Sequence, residues 1–238
     1  MNGKRITWLT IATVTFGIIV GVCSGALTLL LYTVERFALG YVESSRVPGP
    51  FHVTALRRIV SVVLGSAIAA VIWWLLRSKT TRVPSVGKAV KGETMPVWQT
   101  IVHVVLQIGI VGCGSSIGRE VAPRELGAML AQRLTSLKRF GSEELSDKDR
   151  SMIVAAAAAA GLAGVYNAPL AGLFFVLELL ITDISVEMVG VCLGMSTISA
   201  FIATAVKGGA HAFYVLPDMP QTSTLSLMLF ALIAGVCA

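Results

Sequence analysis

Four ionisable residues, Arg119, Glu120, Arg124 and Glu125, fall within seven positions of one another. They belong to the segment Gly112-Cys113-Gly114-Ser115-Ser116-Ile117-Gly118-Arg119-Glu120-Val121-Ala122-Pro123-Arg124-Glu125-Leu126-Gly127, which lies between an apolar run and a second apolar stretch. The glycines and Pro123 predict a break between two helices, because proline is well placed in a helix's first turn. A helix starting at such a break directs free backbone N–H groups outward. Those of Val121 and Ala122 are the candidates to hold an anion without a fixed positive side chain. The simpler alternative is an ion-pair cluster at a helix entry, with Glu120 and Arg124 paired four residues apart.

A second segment runs from Ala155 to Ala160 and on through Gly161-Leu162-Ala163-Gly164-Val165-Tyr166-Asn167-Ala168-Pro169-Leu170-Ala171-Gly172 to Glu178. Its small residues let helices approach closely in lipid. Asn167 is expected to cap a helix whose first turn holds Pro169. Tight helix packing alone accounts for most of this segment. Elsewhere the signals for chemistry are weak. His52, His103 and His211 are isolated in sequence and read as structural or interfacial. Cys23, Cys113, Cys192 and Cys237 lie in apolar runs without a CxxC pair, and read as small buried hydrophobes. No phosphate loop, paired acids or nucleophile with a base appears, so neither an enzyme, a metal site nor a cofactor is expected.

The elements that position these residues follow from composition. Of 238 residues, 55% are hydrophobic and 13% charged, against about 25% charged in an average soluble domain. A mean hydropathy of +0.80 excludes an ordinary soluble fold and a disordered chain, and points the apolar residues toward lipid. The net charge of +6 does not imply nucleic acid, because the basic residues sit in short clusters between long uncharged runs. Those runs are Ile6 to Val34, Ile59 to Leu76, Thr94 to Gly118, Ser151 to Leu177, Met188 to Val206 and Met219 to Ala238. A bilayer crossing takes about 20 apolar residues. Five or six spans are therefore expected, with short or broken pieces such as Leu126 to Ala131 and Leu179 to Thr182. The first run is too long for a signal-peptide core of about 7–15 residues and reads as a retained helix. Arg77, Lys79, Arg82, Lys88 and Lys91 precede the first acid, Glu93, in one loop, which should be cytoplasmic. Two spans come before it, so the N-terminus with Lys4 and Arg5 is expected to be cytoplasmic as well. The last run reaches Ala238 with no charge or tail, and the expectation is a fragment, a truncated product or half of a larger protein.

The two segments together resemble the CLC family of chloride channels and chloride/proton exchangers. Gly118-Arg119-Glu120 followed by Pro123 is similar to the family's G-R-E-G-P motif. Asn167-Ala168-Pro169-Leu170-Ala171-Gly172 followed by Glu178 is similar to its helix-turn-helix signature, in the same order and separation. The resemblance implies an all-α polytopic membrane protein of broken and tilted helices built as inverted repeats. Residues 1–238 would then be the first repeat and the start of the second, with the family's pore phenylalanine and tyrosine lying beyond them. It implies a multi-pass cell-membrane protein whose partners are a halide anion, a proton and the lipid bilayer, with no nucleic acid. When full length it would be a homodimer, and the helices over Pro169 to Thr182 and Met188 to Val206 are the candidates for its interface. Glu120 matches the glutamate that blocks the pore and couples protons. Thr81, in Thr80-Thr81-Arg82-Val83-Pro84, matches the anion-binding serine of the family's G-S-G-I-P motif.

Three departures qualify the match. Glu120 and Pro123 are three apart where the family has two. The serine motif keeps only a hydroxyl and the proline. Leu179 stands where exchangers carry a second glutamate, directly after the one matched by Glu178. These departures resemble the branch that exports fluoride in exchange for protons. An unrelated secondary transporter, binding a polar substrate through Glu120 and Arg119, is the reading outside the family. The fluoride resemblance predicts that the full-length protein in vesicles moves fluoride at least as well as chloride, driven by an imposed pH gradient. Electrode traces with chloride release and no fluoride release would remove it.

Overall fold

The computed structural model describes residues 3–44, 47, 49–136, 145–181, 184–209 and 223–237. Regular structure among these residues is entirely helical: α1 (Gly3–Ala38), α2 (Ala55–Lys79), α3 (Val86–Val90), α4 (Val97–Gly112), α5 (Val121–Thr135), α6 (Asp147–Tyr166), α7 (Pro169–Leu179), α8 (Val186–Val206) and α9 (Thr224–Cys237). This is the all-α membrane class expected from the sequence. Three helices, α1, α2 and α8, are long and apolar enough to cross a membrane, while α4, α7 and α9 are shorter apolar helices.

Two of the expected spans are broken. The run from Thr94 to Gly118 yields only α4, because Gly114 turns left-handed at φ +99°. The Gly114 and Ser115 N–H groups then bond back to the Val111 and Ile110 carbonyls, which closes the helix end. The run from Ser151 to Leu177 is cut at Asn167, whose φ is +53°. Asparagine tolerates this conformation where β-branched residues do not. Asn167 therefore ends α6 instead of capping α7, whose N-cap is Ala168 without a side-chain bond. Thr182, Met219 and Ala238, at the ends of expected runs, lie outside the described residues, as does His211.

α6 is the centre of the packing, in contact with α1, α5, α7 and α8. Ala155 to Ala160 are fully buried. Small residues bring the helix axes together. Gly17, Gly21 and Gly25 recur every fourth residue on α1, and each faces α8; a Cβ at Gly21 would lie 2.8 Å from the Ser199 carbonyl and from Ile202 Cβ. A Cβ at Gly127 would overlap the Ala157 carbonyl, and one at Gly161 the Pro123 carbonyl, so α5 and α6 meet backbone to backbone. Ser199 Oγ donates to the Ala160 carbonyl at 2.7 Å and Ser24 Oγ to that of Gly161 at 3.2 Å. α2 contrasts with this centre. It packs mainly on α4 and leaves Ile59, Val63, Leu64, Ile68 and Val71 exposed, a surface suited to lipid.

Polar groups collect at the two ends of the bundle. Arg5 in the first turn of α1 opposes the helix dipole. It is offset by Asp149 (Nη2–Oδ1 2.6 Å) and Glu187 (Nη1–Oε1 2.9 Å), each in the first turn of its own helix. Three N-termini are thereby tied at one end, so α1, α6 and α8 point the same way. Ser146 and Asp149 also form a reciprocal capping box on α6. Gln132 near the end of α5 joins this end through Met95 N–H (2.9 Å) and the Ala89 carbonyl (2.9 Å). α5 therefore runs back against α4 and α6, and its start lies toward the opposite end.

The glycine contacts predict a contrast between two positions. Gly21→Val should destabilise the protein by about 1–3 kcal/mol through overpacking. Gly190→Ala, where an added Cβ meets nothing within 4 Å, should leave thermal unfolding in detergent nearly unchanged. Equal melting temperatures for the two variants would contradict the α1–α8 packing.

Candidate functional site

The anion site expected from the sequence is the start of α5. Glu120 is its N-cap residue, with φ −75° and ψ −32°, and no side chain caps the helix. Arg124 N–H is the first in the helix placed to bond four residues back, and Pro123 has no N–H. The amides of Val121 and Ala122 are thus the free donors of the first turn. Ala122 and Pro123 are fully buried, and Val121 borders the exposed side at 36%. Gly118 sits at φ +77°. The backbone conformation favours glycine there, and the Glu120 carboxylate folds back into the space that a Cβ would take.

Each of the four clustered charges has its own partner. Glu120 Oε1 accepts from the Tyr166 hydroxyl at 2.6 Å. Arg119 Nη1 donates to Glu43 Oε2 at 2.8 Å, with side chains only 11% and 20% exposed, and its guanidinium lies 5.1 Å from the Tyr166 ring centroid. Arg124 Nε donates to the backbone carbonyl of Glu120 at 2.8 Å and stacks 4.7 Å from the Phe175 ring. Glu125 Oε2 is 2.8 Å from His103 Nδ1. The Glu120–Arg124 side-chain pair considered from sequence is therefore not formed, because the guanidinium turns to the helix backbone and the carboxylate to Tyr166.

The network continues behind Arg119. Glu43 N–H donates to Glu35 Oε2 at 2.9 Å, and the Tyr41 hydroxyl lies 3.5 Å from Glu35 Oε1. Burial, with the carboxylates of Glu35 and Glu43, pushes the Tyr41 phenol up to about 12. At the end of α8, Lys207 Nζ donates to the Gly164 carbonyl at 3.1 Å, two residues before Tyr166. Glu120 is thus held where the ends of α1, α6 and α8 converge on the start of α5.

The remaining residues expected to act fall elsewhere. Thr81 is exposed and lines a cavity of about 310 Å³ with Leu76, Arg77, Arg82, Val83 and His103. Glu120, Val121 and Ala122 are not part of that wall, so the structure brings together three of the four expected anion ligands and separates Thr81 from them. Pro169 begins α7, and Gly172 passes so close to the Ala159 carbonyl (2.7 Å from an added Cβ) that α6 and α7 fold into a tight hairpin. Asn167 forms the turn of that hairpin. Glu178 and Leu179 lie on the exposed side of α7.

Sequence reasoning passed over Tyr166, Glu43 and the His103–Glu125 pair. His103 is not isolated: it meets Glu125 across α4 and α5, and Gln107 Nε2 lies 3.1 Å from its Nδ1. The available signals were a histidine and a glutamine four apart in an otherwise uncharged run, and a tyrosine ending an alanine-rich helix.

Comparison with known proteins places this geometry. Residues 65–238 match the family model described as voltage gated chloride channel. Similar relatives include the voltage-gated ClC-type chloride channel ClcB of Yersinia pseudotuberculosis, 27% identical over 206 residues, covering 84% of this chain and 48% of the relative. ClcB of Salmonella typhimurium is 26% identical over 238 residues, covering 96% and 55%. The H(+)/Cl(-) exchange transporter ClcA of Vibrio cholerae is 30% identical over 152 residues, covering 62% and 32%. The chain spans about half the length of the ClcB relatives it matches. It belongs to the voltage-gated chloride channel family, the CLC family its motifs resemble, which removes the reading as an unrelated transporter.

The network behind Glu120 makes its own prediction. Arg119→Gln leaves Glu43 without its cation, and should cost about 1.5–3 kcal/mol, the scale of a hydrogen bond to a charged group. Thermal unfolding of the detergent-solubilised protein would measure it. A loss no larger than that of Arg57→Gln, an arginine on exposed backbone carbonyls, would mean that the pair contributes nothing.

Proposed function

We propose that the full-length protein carries halide across the cell membrane in exchange for protons, with Glu120 as the gate. The observation that carries this reading is the position of the Glu120 carboxylate. It stands at the uncapped start of α5, half-buried, held by the Tyr166 hydroxyl at 2.6 Å. A carboxylate there occupies the place where the Val121 and Ala122 amides would receive an anion. Its negative charge competes with halide, and protonation removes the competing charge. Arg119, Arg124 and Lys207, all at the same end of the bundle, make the surroundings attractive to anions.

Features of the same structure support a reading of orientation and assembly. Lys4, Arg5, Arg77, Lys79, Arg82, Lys88 and Lys91 gather toward the N-terminal end of α1, which supports a cytoplasmic N-terminus. Thr81 then lies on the cytoplasmic side. With Arg77 and Arg82 in the same cavity wall, its hydroxyl suits an anion waiting below the gate. On α7, Leu170 and Phe174 are 60% and 54% exposed, and Phe201 on α8 is 74% exposed. These apolar faces suit the subunit contact of a homodimer.

Replacing Glu120 with glutamine keeps the side chain's shape and removes its ionisable oxygen. In vesicles containing the full-length protein, Glu120→Gln should abolish proton movement coupled to halide, while halide still passes. Proton coupling unchanged from the wild type would overturn the gate.

A further inference from the structure

The family's exchangers carry a proton-accepting glutamate at the position of Leu179, and a leucine carries no proton. We propose that the His103–Glu125 pair is the inner proton-transfer site of this protein. The inference rests on the reading of Glu120 as the gate and supplies the group that reading lacks.

Position comes first. Glu125 is on α5, five residues after Glu120, or about 7.5 Å along the helix axis. The displacement runs toward the end where Gln132 meets Met95 and Ala89, the end that bears the N-terminus of α1. A carboxylate there stands between the gate and the side proposed as cytoplasmic. Burial and partners come second. Glu125 and His103 side chains are 8% and 17% exposed, and His103 Nδ1 is 2.8 Å from Glu125 Oε2. Gln107 Nε2 lies 3.1 Å from Nδ1 and 3.4 Å from Oε2, extending the polar column one turn along α4 toward the level of Glu120. Access comes third. With Nδ1 committed to Glu125, Nε2 is the nitrogen left for water, and His103 is part of the wall of the 310 Å³ cavity that also holds Thr81.

The groups around the imidazole suit proton exchange. From α2 come Arg77, in the cavity wall, and Trp73, whose ring centroid is 5.7 Å away. The buried Trp73 Nε1–H has no acceptor among the described residues, a donor left for a water or an ion beside the pair. Arg82 comes from the loop after α2. One cycle moves a single proton. Nε2 takes a proton from cavity water, and the imidazolium gives its Nδ1 proton to Glu125 Oε2. The neutral carboxylic acid passes that proton through intervening water to the Glu120 carboxylate. A flip of the imidazole ring then turns the protonated nitrogen back toward Glu125 and the bare nitrogen toward cavity water, which restores the starting arrangement. No charge is stranded, because Glu125 returns to the carboxylate as Glu120 becomes neutral.

The test uses the full-length protein in vesicles, with halide and pH electrodes read together. His103→Gln retains a hydrogen-bonding group facing Glu125 but cannot shuttle a proton. Glu125→Gln is the independent second variant, which retains the bond to His103 and removes only the ionisable oxygen. Each should lower the proton-to-halide ratio at least tenfold, with halide flux within about twofold of wild type and an unchanged melting temperature. Imidazole added to vesicles of His103→Ala should restore coupling. Glu120→Gln, measured in parallel, separates the two ideas. If it loses coupling while both inner variants keep the wild-type ratio, the inner site is wrong and the gate stands. If Glu120→Gln itself keeps coupling, the gate reading fails. A wild-type protein that moves halide without protons overturns the inner site outright.

Discussion

In lipid, a backbone N–H that no helix satisfies must find another partner, and the start of α5 is where this chain leaves two of them open. The surrounding structure makes that possible. Gly114 stops α4 short, Gly118 turns the chain back, and Pro123 removes the third amide of the turn. Because Gly127 and Gly161 let α5 lie directly on the α6 backbone, the opening is held by a rigid element and not by a loose loop. A side chain at either glycine would overlap a carbonyl of the facing helix and move the amides away from the Tyr166 hydroxyl.

Charge is distributed around that opening in two layers. At one end, Arg5, Asp149 and Glu187 fasten three helix N-termini, turning an unfavourable dipole contact into a favourable three-way pair. At the other, Glu43, Arg119, Tyr166 and Glu120 form a chain of hydrogen bonds and a cation–π contact. The first layer fixes the helix directions. The second decides where the Glu120 carboxylate rests at the start of α5. Between the layers Ala155 to Ala160 of α6 and the glycines of α1 and α5 keep the helices in close contact, so errors of direction at one end are carried to the other.

Much of this was legible in the chain. The uncharged runs marked α1, α2 and α8, and Gly118 to Pro123 marked the helix break that carries Glu120. The breaks inside longer runs were harder to read, since hydropathy does not change where Asn167 turns left-handed. The pairing of the four clustered charges was not legible. Spacing put Arg124 within reach of Glu120, but the guanidinium is drawn to a helix carbonyl and to Phe175. The true partners, Tyr166 and His103, are 46 and 22 residues distant from theirs. Long-range partners of this kind are chosen by how closely two helices approach. Here the glycines on both helices set that approach, and a hydropathy profile counts them only as small.

The placement of Glu120 and Glu125 on one helix bears on how an anion and a proton share this half of a transport domain. An anion needs donors and positive potential, whereas a proton needs a succession of bases. In the proposed reading both requirements meet at the start of α5, because free helix amides favour halide and carboxylate alike. One turn and a half further on they diverge. Glu125 is buried against His103 and Gln107 with no free helix terminus nearby, which is poor for halide and good for a proton. Thr81 and the two arginines of the adjoining cavity offer the reverse. A helix that carries both carboxylates keeps their separation fixed by its own rise, so the proposed exchange would need only side chains to turn. If the His103–Glu125 pair transfers the proton as proposed, Leu179, on the exposed side of α7, is free to be apolar.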